Sequence, residues 1–134
     1  PKLRTLSIKR GTSRPKNPMQ VPEGGPFGSP SLEKILIESM PLSGADRLGF
    51  FPNLREAWLV RCSLDTVSFL EKSTKLERLT LRYNHLETLP SFLGNLTELR
   101  SMELSGNPFR HIDLNLEKLT KLEELELKLQ IPRP

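Results

Sequence analysis

Leucines recur along this chain at short and unequal spacings. In the segment "LERLTLRYNHLETLP", residues 76–90, leucine stands at positions 76, 79, 81, 86 and 89, and asparagine stands at 84. These spacings do not follow the 3.6-residue period of an amphipathic helix, and strict alternation covers only Leu79–Leu81. The frame L-x-x-L-x-L-x-x-N-x-L describes the segment. A frame of this kind decides the whole fold if it recurs along the chain.

The frame occurs six times, and successive copies begin 29, 22, 22, 23 and 23 residues apart. The copy that follows residues 76–86 reads Leu99, Met102, Leu104, Asn107 and Phe109. Steps this even, with hydrophobic residues at the same offsets, indicate an internal repeat. The copies open at Leu3, Leu32, Leu54, Leu76, Leu99 and Leu122.

Each copy of the frame predicts one short β-strand. Its fourth and sixth positions are hydrophobic and flank one variable residue, so a strand would point two side chains inward and display the one between them. After the strand, hydrophobic residues at spacings of three and four, such as Leu93, Leu96 and Leu99, indicate one or two helical or 3₁₀ turns that return the chain. Pro90 and Pro108 fit the connecting loops. We therefore predict about six parallel strands joined by short returns.

The ninth position of the frame predicts a buried polar ladder. Asn84 and Asn107 occupy it in two copies, inside a turn whose backbone groups would otherwise lack partners. An asparagine amide both donates and accepts hydrogen bonds, so a row of asparagines would satisfy that backbone. Cys62 holds the same position with a weaker S–H donor. Met40 and Gly11 cannot serve, which predicts irregular geometry in the first two copies.

One segment, residues 11–31, interrupts the repeat. Its first 20 residues, "GTSRPKNPMQVPEGGPFGSP", contain five prolines and four glycines. This composition predicts a loop insertion without helix or strand, and it explains the longer first step. Insertions into repeat proteins often lie on one face and bind partners, but an irregular solvated loop is the simpler interpretation. The glycines lack the Lys-Ser/Thr that follows in a phosphate-binding loop.

The repeated frame resembles that of the leucine-rich repeat family over nearly the whole of residues 1–134, which we expect to form a single domain. The resemblance implies an α/β solenoid shaped as a horseshoe arc. Its parallel sheet would line the concave face, and short helices, 3₁₀ turns and loops would form the convex face. Concave repeat surfaces are characteristic binding sites.

Two stretches resemble plant members of the family. Residues 89–109, "LPSFLGNLTELRSMELSGNPF", are similar to plant-type repeats. Residues 51–62, "FPNLREAWLVRC", are similar to the leucine-rich repeat domains of plant intracellular immune receptors of the NLR type. In that class the domain recognises a pathogen protein or holds a nucleotide-binding switch inactive, so the resemblance implies a role in innate immunity. Scaffold proteins and bacterial leucine-rich repeat effectors, in which the domain is the substrate-recognition part of a larger enzyme, remain alternatives.

The composition of the chain excludes several classes of function. The single cysteine excludes a disulfide framework, and the sequence shows neither a signal peptide nor an apolar run long enough to span a membrane, so we expect a cytoplasmic protein. His85 and His111 have no cysteine or carboxylate at metal-ligand spacing, and Cys62 is expected to be structural. We therefore expect no catalytic residue, no metal, no cofactor, no small-molecule substrate and no enzymatic activity. Neither end resembles a polar capping repeat, which favours a fragment of a longer chain.

The displayed positions predict a protein-binding face. The third, fifth, seventh and eighth positions of each copy should point away from the core, and the only tryptophan and the only tyrosine fall among them. Trp, Tyr and Arg are enriched among the residues that dominate interface energies. The alternative is that Trp58 packs against neighbouring strands with Arg82 stacked on it, and binds no partner. The predicted partner-binding residues are Leu36, Trp58, Val60, Arg61, Arg78, Arg82 and Tyr83.

Charge changes sign along this predicted face. Residues 1–20 carry six basic residues and no acidic one, whereas Glu103, Glu124 and Glu126 lie at the other end. Opposite ends of this kind would orient a partner. The net charge of +4 is too small to indicate nucleic acid. We expect a protein partner, either an effector or a neighbouring domain of the same receptor; the alternative is a structural segment that packs on adjoining repeats.

Overall fold

The structure, a computed structural model, describes residues 3–9, 19–20, 29–45, 48–110 and 112–128. The strands are β1 (Thr5–Lys9), β2 (Met19–Gln20), β3 (Lys34–Glu38), β4 (Leu42–Ser43), β5 (Glu56–Val60), β6 (Arg78–Thr80), β7 (Ser101–Glu103) and β8 (Glu124–Glu126). Six of them form one sheet in the order β1-β3-β5-β6-β7-β8. The return segments include 3₁₀ helices at Ser68–Leu70 and Ser91–Asn95.

Equivalent positions of successive copies lie side by side in this sheet, and every neighbouring pair of strands is parallel. The predicted leucine-rich-repeat solenoid is therefore confirmed, with the strands along its concave face and the return segments on its convex face. The longer first step does not shift the register. Along the third position of the frame, the paired residues run Thr5, Lys34, Glu56, Arg78, Ser101 and Glu124.

The core lies between the sheet and the return segments and consists mainly of leucine. Full burial of a leucine side chain stabilises a fold by about 1.5–3 kcal/mol, so a stack of leucines from every coil supplies most of the driving force. Two buried aromatic rings also pack in this core: Phe51 and Phe69 meet edge to face with centroids 6.2 Å apart. The fully buried leucines include Leu54, Leu59, Leu64, Leu70, Leu76, Leu79, Leu81, Leu86, Leu93, Leu96, Leu99 and Leu104.

The asparagine ladder, formed by Asn84 and Asn107, is confirmed. The Asn84 amide nitrogen donates to the carbonyl oxygens of Leu59 at 2.8 Å and Leu81 at 2.9 Å. Its amide oxygen accepts from the backbone N–H groups of Cys62 at 3.0 Å and Leu64 at 3.2 Å. One buried side chain thus joins two coils and satisfies backbone groups that would be costly to bury unpaired.

Asn107 repeats this arrangement one coil further. Its nitrogen donates to Leu81 at 2.8 Å and to Leu104 at 2.9 Å, and its oxygen accepts from the Leu86 N–H at 3.1 Å. Each asparagine therefore bonds both its own turn and the turn of the preceding copy. The ladder ties neighbouring coils together at the point where each strand ends.

The eighth position of the frame adopts a left-handed backbone in four successive copies. Ser39, Arg61 and Tyr83 have φ values of 56°, 55° and 58°, and Gly106 has 81°. This conformation costs a non-glycine residue roughly 1–2 kcal/mol, so the surrounding coil must hold it in place. A Cβ atom on Gly106 would lie 2.5 Å from Cδ1 of Tyr83, so glycine is required there for the tyrosine ring as well as for the backbone.

A row of alternating charges runs along the N-terminal rim of the sheet, at the second position of the frame. Each interior member pairs with both neighbours, with N···O distances between 3.1 and 3.7 Å. Arginine and glutamate alternate because the register places like positions side by side, where like charges would repel. This Arg/Glu ladder consists of Arg4, Glu33, Arg55, Glu77, Arg100 and Glu123.

The predicted loop insertion holds one short strand. Residues Met19–Gln20 form β2, which pairs in parallel with β4. The expectation that residues 11–31 contain no strand is therefore wrong at these two positions, because the return segment after Met40 is itself extended and offers backbone groups for pairing. Residues 11–18 and 21–28 of the insertion lie outside the described residues.

Candidate protein-binding face

Strand alternation builds the candidate site. The third, fifth and seventh positions of the frame point away from the leucine core, and neighbouring strands lie about 4.8 Å apart, so the displayed side chains form rows across the sheet. We call the surface formed by these rows and the eighth-position residues the concave face. A shallow groove in it is lined by residues that include Leu36, Glu56, Trp58, Arg78, Thr80, Glu103 and Glu124.

Trp58 lies near the middle of the concave face. It is paired in register with Leu36 on one side and with Thr80 on the other, and 43% of its surface is exposed. Leu36 is half-buried beside it, so the two form one apolar patch. The fixed backbone of a parallel sheet holds this patch in position, which lowers the entropy lost when a partner covers it.

Tyr83 lies beside this patch at the C-terminal rim of the sheet, where two guanidinium groups meet its ring. The Cζ atom of Arg61 is 4.3 Å from the ring centroid and that of Arg82 is 5.3 Å away. The ring itself is 42% exposed. We call Arg61, Arg82 and Tyr83 the tyrosine cluster. A cation over an exposed ring gains about 0.5–1 kcal/mol, enough to favour one orientation of each guanidinium.

The contact of Arg82 differs from the one considered from the sequence. Arg82 lies over Tyr83, and its Nη1 is 3.8 Å from a carboxylate oxygen of Glu103 on the next strand. Its Nε is buried and has no hydrogen-bond partner among the described residues. The alternative in which Arg82 covers Trp58 would have removed the exposed tryptophan. Trp58 is half-exposed instead.

Val60 points to the concave side of the sheet but is covered there, so the expectation that its side chain is displayed is wrong. Its exposed fraction is 5%. It pairs with Glu38, and the register extended from Trp58–Thr80 places Arg82 on its other side. Both neighbours have longer side chains than valine, so they shield it from solvent.

Arg78 lies on the concave face but is engaged in a local charge network. Its Nε is 3.6 Å from one oxygen of Glu56, whose other oxygen is 3.1 Å from Nζ of Lys34. The side chain of Arg78 is still 67% exposed, so a partner can reach it. Its charge is partly compensated within the sheet.

The predicted acidic end of the face is present in β7 and β8. Glu124 and Glu126 are exposed, and Glu103 is half-buried beside them. The Ser105 hydroxyl lies 3.2 Å from Oε1 of Glu126 and donates to it. At the basic end, Arg4 is held by Glu33, while Lys2, Arg10, Arg14 and Lys16 lie outside the described residues.

Cys62 is buried, as expected for the ladder position that it fills. Its Sγ lies 3.4 Å from the carbonyl oxygen of Ile37 and 3.5 Å from that of Val60. Burial raises the pKa of the thiol to about 11, and the nearby Glu38 carboxylate acts in the same direction, while a backbone hydrogen bond at Met40 opposes them. The thiol is therefore protonated at neutral pH, which suits a structural role.

Other chemistry finds little support in the part of the chain that the structure describes. There, no three His, Cys, Asp or Glu side chains converge as a metal site would require. His85 is exposed after β6, and His111 lies outside the described residues. Within the same ranges, no helix has the length and apolar character needed to cross a bilayer.

The Arg/Glu ladder and the tyrosine cluster carry contacts that the sequence analysis did not identify, although both were visible in the aligned copies. When the six copies are aligned, the residues at the second position alternate between arginine and glutamate. Arg61 and Tyr83 occupy the eighth position of successive copies, so the register places them side by side. A comparison of columns, in addition to the hydrophobic frame, would have found both.

The coiled parallel sheet, the asparagine ladder and the displayed face define a leucine-rich-repeat protein. Three known members of this class are similar to the chain. It is 34% identical to Protein SUPPRESSOR OF npr1-1, CONSTITUTIVE 1 from Arabidopsis thaliana over 65% of the chain, 36% identical to Chaoptin from Tribolium castaneum over 73%, and 34% identical to the platelet glycoprotein Ib alpha chain from Mus musculus over 58%. The matches span 7%, 13% and 11% of those proteins. No family model matches the chain.

Proposed function

We propose that this chain is a non-enzymatic recognition module that binds a protein through its concave face. The half-exposed Trp58, held on a rigid sheet beside Leu36, is the observation that carries the proposal. Large aromatic side chains supply much of the energy of protein interfaces, and a preformed sheet loses little freedom on binding. Arg61, Arg78, Arg82 and Tyr83 surround this anchor.

We further propose that the module acts in the cytoplasm as part of an innate immune receptor of plants. Its partner is then a pathogen effector or a neighbouring domain of the same receptor. The similarity of residues 51–62 to plant intracellular receptors and the similarity to the Arabidopsis protein support this assignment. The retention of a free, buried thiol at Cys62 fits a reducing compartment.

A matched pair of substitutions tests the binding face. Trp58 and Leu116 are each 43% exposed, but Leu116 lies in the return segment between β7 and β8. The immobilised chain and its Trp58→Ala and Leu116→Ala variants are compared for retention of proteins from plant extract, with quantitative mass spectrometry as the readout. We expect Trp58→Ala to reduce retention of the specific partner about tenfold or more, and Leu116→Ala to leave it unchanged. Equal retention by both variants would refute the proposed face.

A further inference from the structure

The charges at the N-terminal rim and in the middle of the sheet already have partners. In the Arg/Glu ladder every interior arginine and glutamate contacts two opposite charges. In the middle of the sheet, Lys34 and Arg78 share the carboxylate of Glu56. A charged partner gains little at such places, because its charge would have to replace an existing pair.

The tyrosine cluster is different. Arg61 is exposed and forms no ion pair within the described residues, and Glu38, half-buried on the neighbouring strand, contacts neither guanidinium there. Arg82 has one carboxylate partner, Glu103, at 3.8 Å. Two cations therefore face one carboxylate at this rim. This excess of positive charge favours an incoming anion at the rim.

The geometry also favours a planar, two-oxygen anion. Arg61 lies over the Tyr83 ring, which favours one orientation of its guanidinium before a partner arrives. A guanidinium stacked in this way keeps its N–H edges free for a carboxylate, which it can bind through two parallel hydrogen bonds. The backbone of both residues is fixed in the left-handed conformation by the coil, which restricts the cluster further.

The separation between Trp58 and the tyrosine cluster determines how far apart the two contacting groups of a partner must lie. Arg61 follows Trp58 by three residues, and Tyr83 follows Thr80, the register partner of Trp58, by three residues. At about 3.3 Å per residue along β5, Arg61 lies about 10 Å from the apolar anchor. A β-strand would turn side chains three residues apart to opposite faces, whereas a polyproline II segment, with three residues per turn and a rise of about 3.1 Å, presents them on one face about 9 Å apart.

We propose that the tyrosine cluster binds the carboxylate of an aspartate or glutamate in the protein partner, three residues from an apolar side chain that covers Trp58. The partner segment thus adopts a polyproline II conformation and carries an apolar residue and an acid at spacing i, i+3, in either order. Glu124 and Glu126 repel acids at the other end of the face and so restrict the acid to this rim. This inference rests on the proposed function, because it assigns the chemistry of the same face.

Phage-displayed random peptides of twelve residues provide the probe. The library is selected against the whole chain at about 0.15 M salt, where exposed charges more than about 8 Å apart are largely screened. Each recovered peptide is then tested against Trp58→Ala, and those that lose about tenfold or more in affinity are the concave-face binders. We expect these binders to be enriched over the starting library in an acid three residues from an aromatic or aliphatic residue.

Charge variants then test the cluster directly. For the concave-face binders, we expect Arg61→Glu to lower affinity about tenfold or more and Arg61→Gln to lower it less, while Lys118→Glu, the same charge change on a return segment, leaves it unchanged. Far-UV circular dichroism establishes that each variant keeps the fold, and Arg61→Gln supplies the test if the charge reversal does not.

The outcomes separate the two proposals. Trp58-dependent peptides that show no enrichment in acids, or that respond equally to the Arg61 and Lys118 variants, would overturn this inference and leave the proposed function standing. A selection that yields no Trp58-dependent peptide would count against the proposed function itself, and the inference would fall with it.

Discussion

Single residues decide whether neighbouring coils stay joined. Asn84 bonds backbone groups of two copies, and Cys62 fills the same position of the preceding coil with a thiol. The sequence predicted both roles, because a ninth-position residue must satisfy a buried turn. Burial of Val60 could not be predicted in the same way, since it depends on the lengths of side chains on strands about one repeat away, in both directions along the chain.

Replacing Asn84 by alanine should destabilise the fold strongly. The change leaves the N–H groups of Cys62 and Leu64 and the carbonyl of Leu59 without their side-chain partner, while the carbonyl of Leu81 still accepts from Asn107. Unpaired buried groups cost about 1–3 kcal/mol each, and water entering the cavity compensates part of this, so we expect a loss of about 3 kcal/mol in urea unfolding. Asn95→Ala, on an exposed turn, serves as the control and should change stability by less than about 0.5 kcal/mol. Similar losses in the two variants would show that the ladder does not hold the coils together.

The raised pKa of Cys62 predicts a loss of stability in alkali. Its pKa is about 11 in the folded chain and 9.0 for the free side chain, so between these values the unfolded state releases a proton that the folded state keeps. The contribution of the protonated Cys62 thiol to folding stability is therefore fully present below pH 9 and decreases as the pH rises towards 11. Denaturant unfolding across this range should show a steeper fall for the native chain than for Cys62→Ala, in which other alkaline titrations persist. Parallel curves would contradict the assigned pKa.

Gly106 links the backbone to the candidate site. In Gly106→Ala the new Cβ would lie 2.5 Å from Cδ1 and 2.9 Å from the backbone nitrogen of Tyr83, at a φ of 81°. We expect destabilisation of at least about 1 kcal/mol and displacement of the tyrosine ring from Arg61. Thermal unfolding and the near-ultraviolet circular dichroism of Tyr83 measure the two effects. Unchanged stability together with an unchanged tyrosine signal would contradict the described packing.

At the scale of elements, strand positions and their parallel order followed from the repeated frame, because each strand is specified by local residues that recur in every copy. The side-chain contacts between strands were harder to predict from the sequence. The Arg/Glu ladder emerges only when residues from all six copies are compared, and the pairing of β2 with β4 depends on where the insertion returns to the coil.

The Arg/Glu ladder should contribute modestly to folding stability, and its contribution should decrease as the salt concentration rises. Glu77 contacts Arg55 at 3.1 Å and Arg100 at 3.7 Å. Glu77→Lys replaces both attractions by repulsions, so we expect a loss of about 1–2 kcal/mol at low salt, which shrinks as salt screens the charges. Glu77→Gln should lose less than about 1 kcal/mol, and Glu117→Lys on a return segment should lose little. Urea unfolding at two salt concentrations measures this; a Glu77→Lys loss that is independent of salt would point to packing as the cause.

At the scale of the whole molecule, the fold and the candidate site differ in how far the sequence determines them. A solenoid follows from periodicity alone, since each coil needs only its neighbours. A binding face depends on which displayed side chains are exposed and which are already paired with neighbours. Both properties are known only from the structure. Neighbouring side chains cover Val60, whereas the other predicted residues are exposed or half-buried on the concave face: Leu36, Trp58, Arg61, Arg78, Arg82 and Tyr83.

The central claim is that a partner protein covers Trp58. Because the chain has one tryptophan, 5-fluorotryptophan gives a single ¹⁹F resonance that reports this side chain alone. Titration with a captured partner is predicted to shift or broaden that resonance and to reduce its response to solvent exchange from H₂O to D₂O, as burial of a half-exposed ring requires. A saturated complex in which the resonance keeps its free position and its full solvent response would contradict the account.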